Sequence, residues 1–149
     1  MDEMIEKQIN TFQSACSIIQ NCFVNENISL INPPHCDKYY VPNGFPNFIK
    51  FLEYELVRSK SQHAEMTLKI CSSNSGTTFD SIEIVCIDAS PKRKGMGTEL
   101  FRQVKHLAYS LYIPLIWGNI LDPDAAEFYK AVGCEIIGDT FRYVINEIN

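Results

Sequence analysis

The stretch Ile82–Phe101, IEIVCIDASPKRKGMGTELF, passes from a β-branched apolar run through a short basic, glycine-bearing turn into an amphipathic helix. Such a turn gathers free backbone N–H groups and the positive end of a helix at one point, and a point of that kind holds an anion, most readily a phosphate. Any fold available to the chain must set this turn between a strand and a helix, with room for a second reactant beside it.

The pattern around the turn supplies the frame. Ala64, Met66, Leu68 and Ile70 alternate with Glu65, Thr67 and Lys69, which predicts a half-buried strand over Ala64–Cys71. Ser72–Thr78 reads as a hairpin turn, returning the chain into a more buried strand over Phe79–Asp88. After the basic turn, Leu100, Phe101, Val104, Leu107, Ala108 and Leu111 form one helical face, with Pro114 as the stop. Leu115–Gly118 reads as a short inner strand. Asp122 then suits an N-cap, Pro123 the first helical position and Gly133 the C-terminal stop. Cys134–Ile137 and Phe141–Asn146 flank Gly138-Asp139, a two-residue hairpin turn.

The first sixty residues are less regular. Ile5, Ile9, Phe12, Cys16, Ile19 and Phe23 keep a helical period, predicting an amphipathic helix that ends near residues 25–27. Pro33, Pro34, Pro42, Gly44 and Pro46 interrupt residues 28–46, which read as an irregular loop holding at most a short strand. Pro46 suits the first turn of a second helix running to about Ser59, with Phe48, Ile49, Leu52 and Leu56 on one face. His35, Asp37, Tyr39, Tyr40 and Phe45 read as ordinary loop packing or as the lining of a substrate entrance. Taken together the elements predict an α+β (mixed α/β) fold around one largely antiparallel sheet, in a single domain of residues 1–149.

Composition removes several classes of function. The net charge of −5 argues against nucleic-acid binding, which needs a basic surface. No apolar run approaches the roughly 20 residues that cross a bilayer, and the N-terminal MDEMIEKQ has no apolar signal core. The 6 cysteines contain no CxxC pair, and His35, His63 and His106 do not join them at ligand spacing. They read as reduced, apolar residues of a cytoplasmic protein, with no metal expected.

Lys92-Arg93-Lys94-Gly95-Met96-Gly97-Thr98 fails the tests for two other phosphate loops. A Walker loop needs Gly-Lys-Ser/Thr after four intervening residues. A dinucleotide fingerprint needs a third glycine where Leu100 stands. The turn, the strand before it and the segment downstream instead resemble the GNAT acyl-CoA N-acyltransferases. In that family Arg/Gln-x-x-Gly-x-Gly/Ala lies between the fourth strand and the next helix. Lys92, Gly95 and Gly97 fall on those positions, with Ile87 where a valine is usual. The later family motif, Asn-x-x-Ala-x-x-Phe-Tyr-x-x-x-Gly-Phe, is matched by Asp122, Ala125, Phe128, Tyr129 and Gly133, with Cys134 in the last position. The likeness covers residues 64–149, the expected CoA-binding core, and leaves residues 1–60 as a variable, helical part. Lys92 for Arg or Gln keeps a cation but loses the planar fork, Asp122 for Asn remains a good cap, and Cys134 replaces an aromatic residue.

The resemblance implies a GNAT-like sheet whose strands Ile82–Asp88 and Leu115–Gly118 splay apart to admit pantetheine, with helices on its flanks. It implies acetyl-CoA as acyl donor, its pyrophosphate on the backbone from Arg93 to Thr98, and its amides on Val85, Cys86 and Ile87. Lys92, Arg93, Lys94 and Arg102 would add charge, and Asn119 and Asp122 would border the donor. A backbone N–H near Val85 or Cys86 would serve the thioester oxygen. Gly95 and Gly97 would let phosphate approach the chain; a solvated connection is the plain alternative for the whole turn.

Two residues are expected to carry the chemistry. Tyr129 matches the family's general acid, against the alternative of a tyrosine packed beside Ala125 and Val132. Glu83 is the candidate base, placed with Val85 and Ile87 on one strand face, against the alternative of a solvent-exposed carboxylate. Asp88, Glu65 and His35 are weaker choices. The expected function is N-acetyltransfer from acetyl-CoA to a primary amine, whether a small cationic amine or an amine of a peptide or protein. The alternative is a non-catalytic GNAT-like module that binds CoA or a protein partner. Phe141, Tyr143 and Ile145 on the terminal hairpin are expected to offer a homodimer surface.

Overall fold

Two long strands with strict alternation make the centre of the sheet. The computed structural model describes residues 27–31, 35–40, 46–72, 80–92 and 95–145. In chain order these form β1 (Ile28–Leu30), β2 (His35–Tyr40), β3 (Pro46–Ser59), β4 (Gln62–Ser72), β5 (Ser81–Ser90), α1 (Met96–Ser110), β6 (Leu115–Asn119), α2 (Pro123–Ala131), β7 (Glu135–Ile137) and β8 (Thr140–Val144). The expected helix over residues 5–23, most of the turn over 72–78, Phe45 and the pair Arg93–Lys94 lie outside the described residues.

The strands join in the order β1, β3, β4, β5, β6, β8, β7, with β2 also pairing β3. All pairs are antiparallel except β5 with β6. The fold is therefore α+β with a largely antiparallel sheet, as expected. Met66, Leu68 and Ile70 on β4, and Leu52, Tyr54 and Leu56 on β3, point to one buried side. α1 packs on that side against β4, β5 and β6 through Leu100, Phe101, Val104 and Leu107. Each of these is at most 1% exposed, and removing such a side chain from water contributes roughly 1.5–3 kcal/mol.

The second helix expected over Pro46–Ser59 is instead β3, the strand held on both of its edges. Its Leu52, Tyr54 and Leu56 are buried while Glu53 and Glu55 are half-exposed, a period of two that outweighs the helical spacing of Leu52 and Leu56. Pro46 is its first residue, where a strand tolerates the missing donor. The loop expected over residues 28–46 is corrected too. β1 and β2 both pair with β3, the first up to Leu30 opposite Tyr54 and the second from His35 opposite Phe51.

Both helices close in the same way. Cys134 N–H donates to Tyr129 O at 2.9 Å and Gly133 N–H to Lys130 O at 3.0 Å, a Schellman motif with Gly133 at φ +99°. At the end of α1, Ile113 N–H donates to Ala108 O at 2.8 Å and Tyr112 N–H to Tyr109 O at 3.3 Å. There the left-handed position is filled by Tyr112, at φ +58°. α1 therefore stops before Pro114 is reached. Asp122 caps α2 as expected, its Oδ1 accepting from Ala125 N–H at 2.8 Å. Gly138 has φ +59°, which suits the first position of the two-residue turn joining β7 and β8.

Candidate active site

β5 and β6 start side by side and then part. Their register holds only Ile82 opposite Ile116 and Glu83 opposite Trp117. Gly118 still lies against Ile84, because a β-carbon there would come within 2.7 Å of the Ile84 carbonyl oxygen and 2.6 Å of the Phe141 ring. Beyond that contact β5 continues to Ser90 with no ladder partner on the β6 side. A strip of β5 backbone is thus left open, a place where an extended amide-bearing ligand can pair.

A bulge sits at the start of the open strip. Thr67 on β4 faces Cys86 while the next residue, Leu68, faces Ile84, so Val85 is the extra residue on β5. Bulges turn the following side chains over. Ile82 and Ile84 are buried, and past the bulge Ile87 opposes Met66 on that same side, whereas Cys86 and Asp88 oppose Thr67 and Glu65 on the other. Glu83 opposes Lys69 and therefore lies on the face opposite Ile87. This corrects the expectation that Glu83, Val85 and Ile87 share a face. Period-two reading fails wherever one residue is inserted.

The turn stands at the far end of the open strip. Gly95 N-caps α1 at φ +78°, a left-handed conformation that favours glycine whether or not a phosphate approaches. A β-carbon on Gly97 would stand 3.1 Å from the Phe128 ring, so this glycine also lets α1 pack on α2. Lys92, Thr98 and Arg102 are exposed, Met96 is buried in the core, and Arg93 and Lys94 lie outside the described residues. Arg58, not singled out from the sequence, forms an ion pair with Glu99 in the first turn of α1.

Tyr129 lies on α2 beneath this opening and is 6% exposed. Its ring stacks on Phe141 with centroids 3.5 Å apart and meets Phe101 and Phe128 edge-on. Burial raises its pKa above the ordinary tyrosine value, and Cys134 and Cys86 raise it further. Phe141 is the ring that closes on Gly118 where β5 and β6 part, so Tyr129, stacked on it, lies one ring away from that point.

The remaining expected residues are more scattered. Glu83 is half-buried, with Trp117 across β6 anchored by an Nε1–H hydrogen bond to Ser81 Oγ at 3.3 Å. Asp122 is engaged as a helix cap and Asn119 is exposed at the end of β6. Asp88 and Glu65 oppose each other directly, and β2, which carries His35, is separated from β5 by β3 and β4. Phe141, expected on a dimer surface, is 1% exposed beneath Gly118, and Tyr143 packs edge-on to Phe101. β8 lies between β6 and β7, so the exposed edge of the hairpin belongs to β7.

One group with metal-ligand chemistry also appears among the described residues. Glu55, His63 and Glu65 each offer a ligand atom within 4.8 Å of the others. His63 and Glu65 are two apart on β4, and Glu55 directly opposes Glu65, a cross-strand pairing invisible while β3 is read as a helix. His63 Nε2 lies 3.8 Å from Glu55 Oε2 and 3.6 Å from Glu65 Oε1.

No protein-family model and no curated protein matches the chain in sequence. Solved structures do match in fold. The KacTA–DNA complex superposes with a TM-score of 0.50 at 16% identity, over 63% of this chain and 67% of that one. A point mutant of the toxin AtaT, bound to the C-terminus of the antitoxin AtaR and to acetyl-CoA, superposes with a TM-score of 0.50 at 15% identity, over 63% and 68%. At this identity the likeness is one of fold. No helix among the described residues is long and apolar enough to cross a membrane.

Proposed function

We propose that the chain is an acyl-CoA-dependent N-acetyltransferase acting on a primary amine through a ternary complex. The observation that carries this reading is the parting of β5 from β6 just past Gly118, with a bulge at Val85 and with Tyr129 stacked on the Phe141 ring that closes on Gly118. The open strip ends at a glycine turn that begins a helix, so one extended ligand with amides at one end and phosphates at the other fits its length. The fold neighbour AtaT is described in complex with acetyl-CoA, which supports the same donor here.

The residues divide the work as follows. Lys92 and the backbone N–H groups of Gly95–Thr98 bind the pyrophosphate at the positive end of α1. Arg93 and Lys94 extend that basic stretch in sequence. Backbone groups of Val85, Cys86 and Ile87 pair with the pantetheine amides, and an N–H at the bulge receives the thioester oxygen as it gains charge. Asn119 and Asp122 border the mouth from the other side.

An alkylamine has a pKa of about 10.4 and must lose a proton before it attacks. Glu83, half-buried on β5 at the point where the strands part, takes that proton directly or through water. The amine nitrogen then bonds to the acyl carbon and the carbon–sulfur bond breaks. Tyr129 holds its proton more tightly than a free tyrosine, so it serves as a hydrogen-bond donor to the departing sulfur, the thiol proton coming from the amine. The acidic net charge of −5 favours a cationic acceptor, small or peptidic. The KacTA neighbour is a complex with DNA, so the absence of a nucleic-acid partner is argued from this acidic charge alone.

A specific observation favours a second reading. Tyr129 is buried and stacked on Phe141, so packing alone accounts for its presence, as in a binding module without turnover. CoA-thiol release with a panel of amines and lysine peptides separates the two. An enzyme releases thiol with at least one acceptor; a module releases none while still binding CoA.

A further inference from the structure

Arg58 is the second bulged residue of the sheet. On β3, Val57 faces His63 and Ser59 faces the next β4 residue, Gln62, so Arg58 is the inserted residue of the register. Its guanidinium reaches the side of the sheet on which α1 packs and pairs there with Glu99 in the first turn of α1. It also lies over the glycine turn, since a β-carbon on Gly95 would stand 3.9 Å from Arg58 Nη2. Both side chains are about a quarter exposed, so the pair is half-sheltered from solvent screening.

The location raises a problem that Arg58 resolves. Glu99 is a carboxylate in the same first helical turn that is read as a phosphate site, and alone it repels a polyanion. A guanidinium carries five N–H donors along more than one edge, so it can hold a carboxylate and a phosphate together. We propose that Arg58 is a phosphate-binding residue of this site, held in place by Glu99 and delivered from the end of β3. Its ligand is a phosphate of the CoA-type donor. The proposal rests on the acyl-CoA reading above, and it goes beyond the sequence motif, whose cations all lie in or after the turn itself.

The test compares wild type, Arg58→Gln and Arg58→Lys for binding of CoA and of acetyl-pantetheine, which lacks the pyrophosphate, with unliganded melting curves as the folding control. The expected result is CoA affinity weakened about tenfold or more in Arg58→Gln, and partly restored in Arg58→Lys, while acetyl-pantetheine binds all three alike. If wild type binds CoA and Arg58→Gln binds it equally well, Arg58 has no such role and the acyl-CoA reading stands. Equal weakening toward both ligands makes Arg58 a structural residue and overturns the proposal. Should Arg58→Gln fail to fold, Arg58→Lys alone decides, with unchanged CoA affinity counting against it. If wild type binds neither ligand, the acyl-CoA reading itself falls and takes the proposal with it.

Discussion

Gly118 on β6 passes so close to Ile84 on β5 that a single β-carbon would reach 2.7 Å from the Ile84 carbonyl oxygen. This contact lies one residue past the last ladder pair, Glu83 with Trp117, and the Phe141 ring closes it from the other side. Neither a backbone carbonyl nor a packed ring yields cheaply. Gly118→Ala is expected to cost about 1–3 kcal/mol and to lower the melting temperature by about 3 °C or more. An unchanged melting temperature would mean that the strands are not pinned there.

Tyr112 offers the opposite kind of change. It occupies the left-handed position of the motif that ends α1, at φ +58°, and it is 89% exposed. Little packing is lost with the side chain, and glycine adopts that conformation without the penalty of a β-carbon. Tyr112→Gly is expected to stabilise the fold by about 0.5–1 kcal/mol, read from urea unfolding midpoints at constant slope.

Tyr129→Phe removes only a hydroxyl and keeps the ring that stacks on Phe141. CoA affinity and melting temperature are expected to change little, while turnover with the best amine falls by about a hundredfold. Turnover within twofold of wild type would assign Tyr129 to packing alone.

Alkaline stability follows from two buried groups. Burial pushes the Cys134 thiol up to about 11, with Lys105 pulling weakly the other way, and burial likewise raises Tyr129. An unfolded thiol titrates near about 8.5 and an unfolded tyrosine near about 10. Above these values the unfolded chain sheds protons that the native state keeps, so stability is complete below about pH 8 and falls as pH rises toward 11. Melting curves from pH 7 to 11 should show this decline, and Cys134→Ala should show a shallower one.

The second half of the chain was legible because its signals are local. Asp122, Pro123 and Gly133 bound α2 by cap chemistry that needs no tertiary context, and Gly138-Asp139 fixes its hairpin in the same way. β3 was misread because Leu52 and Leu56 suit a helix as well as a strand. Only pairing with β1, β2 and β4 decides between the two. The bulges were illegible for a related reason. Nothing in the sequence marks Val85 or Arg58 as the inserted residue, since insertion is defined against the partner strand. Both errors fell on the site: one turned Ile87 away from Glu83, and the other hid Arg58 and the Glu55–His63–Glu65 group.

The most direct test of the central claim is the thermal shift of the purified chain with acetyl-CoA and with CoA, titrated to saturation. At 100 times the dissociation constant, binding should add about 2.7 kcal/mol to stability and raise the melting temperature by several degrees. ATP and NAD at equal concentration should raise it less. No shift with acetyl-CoA or CoA at any accessible concentration would contradict the account.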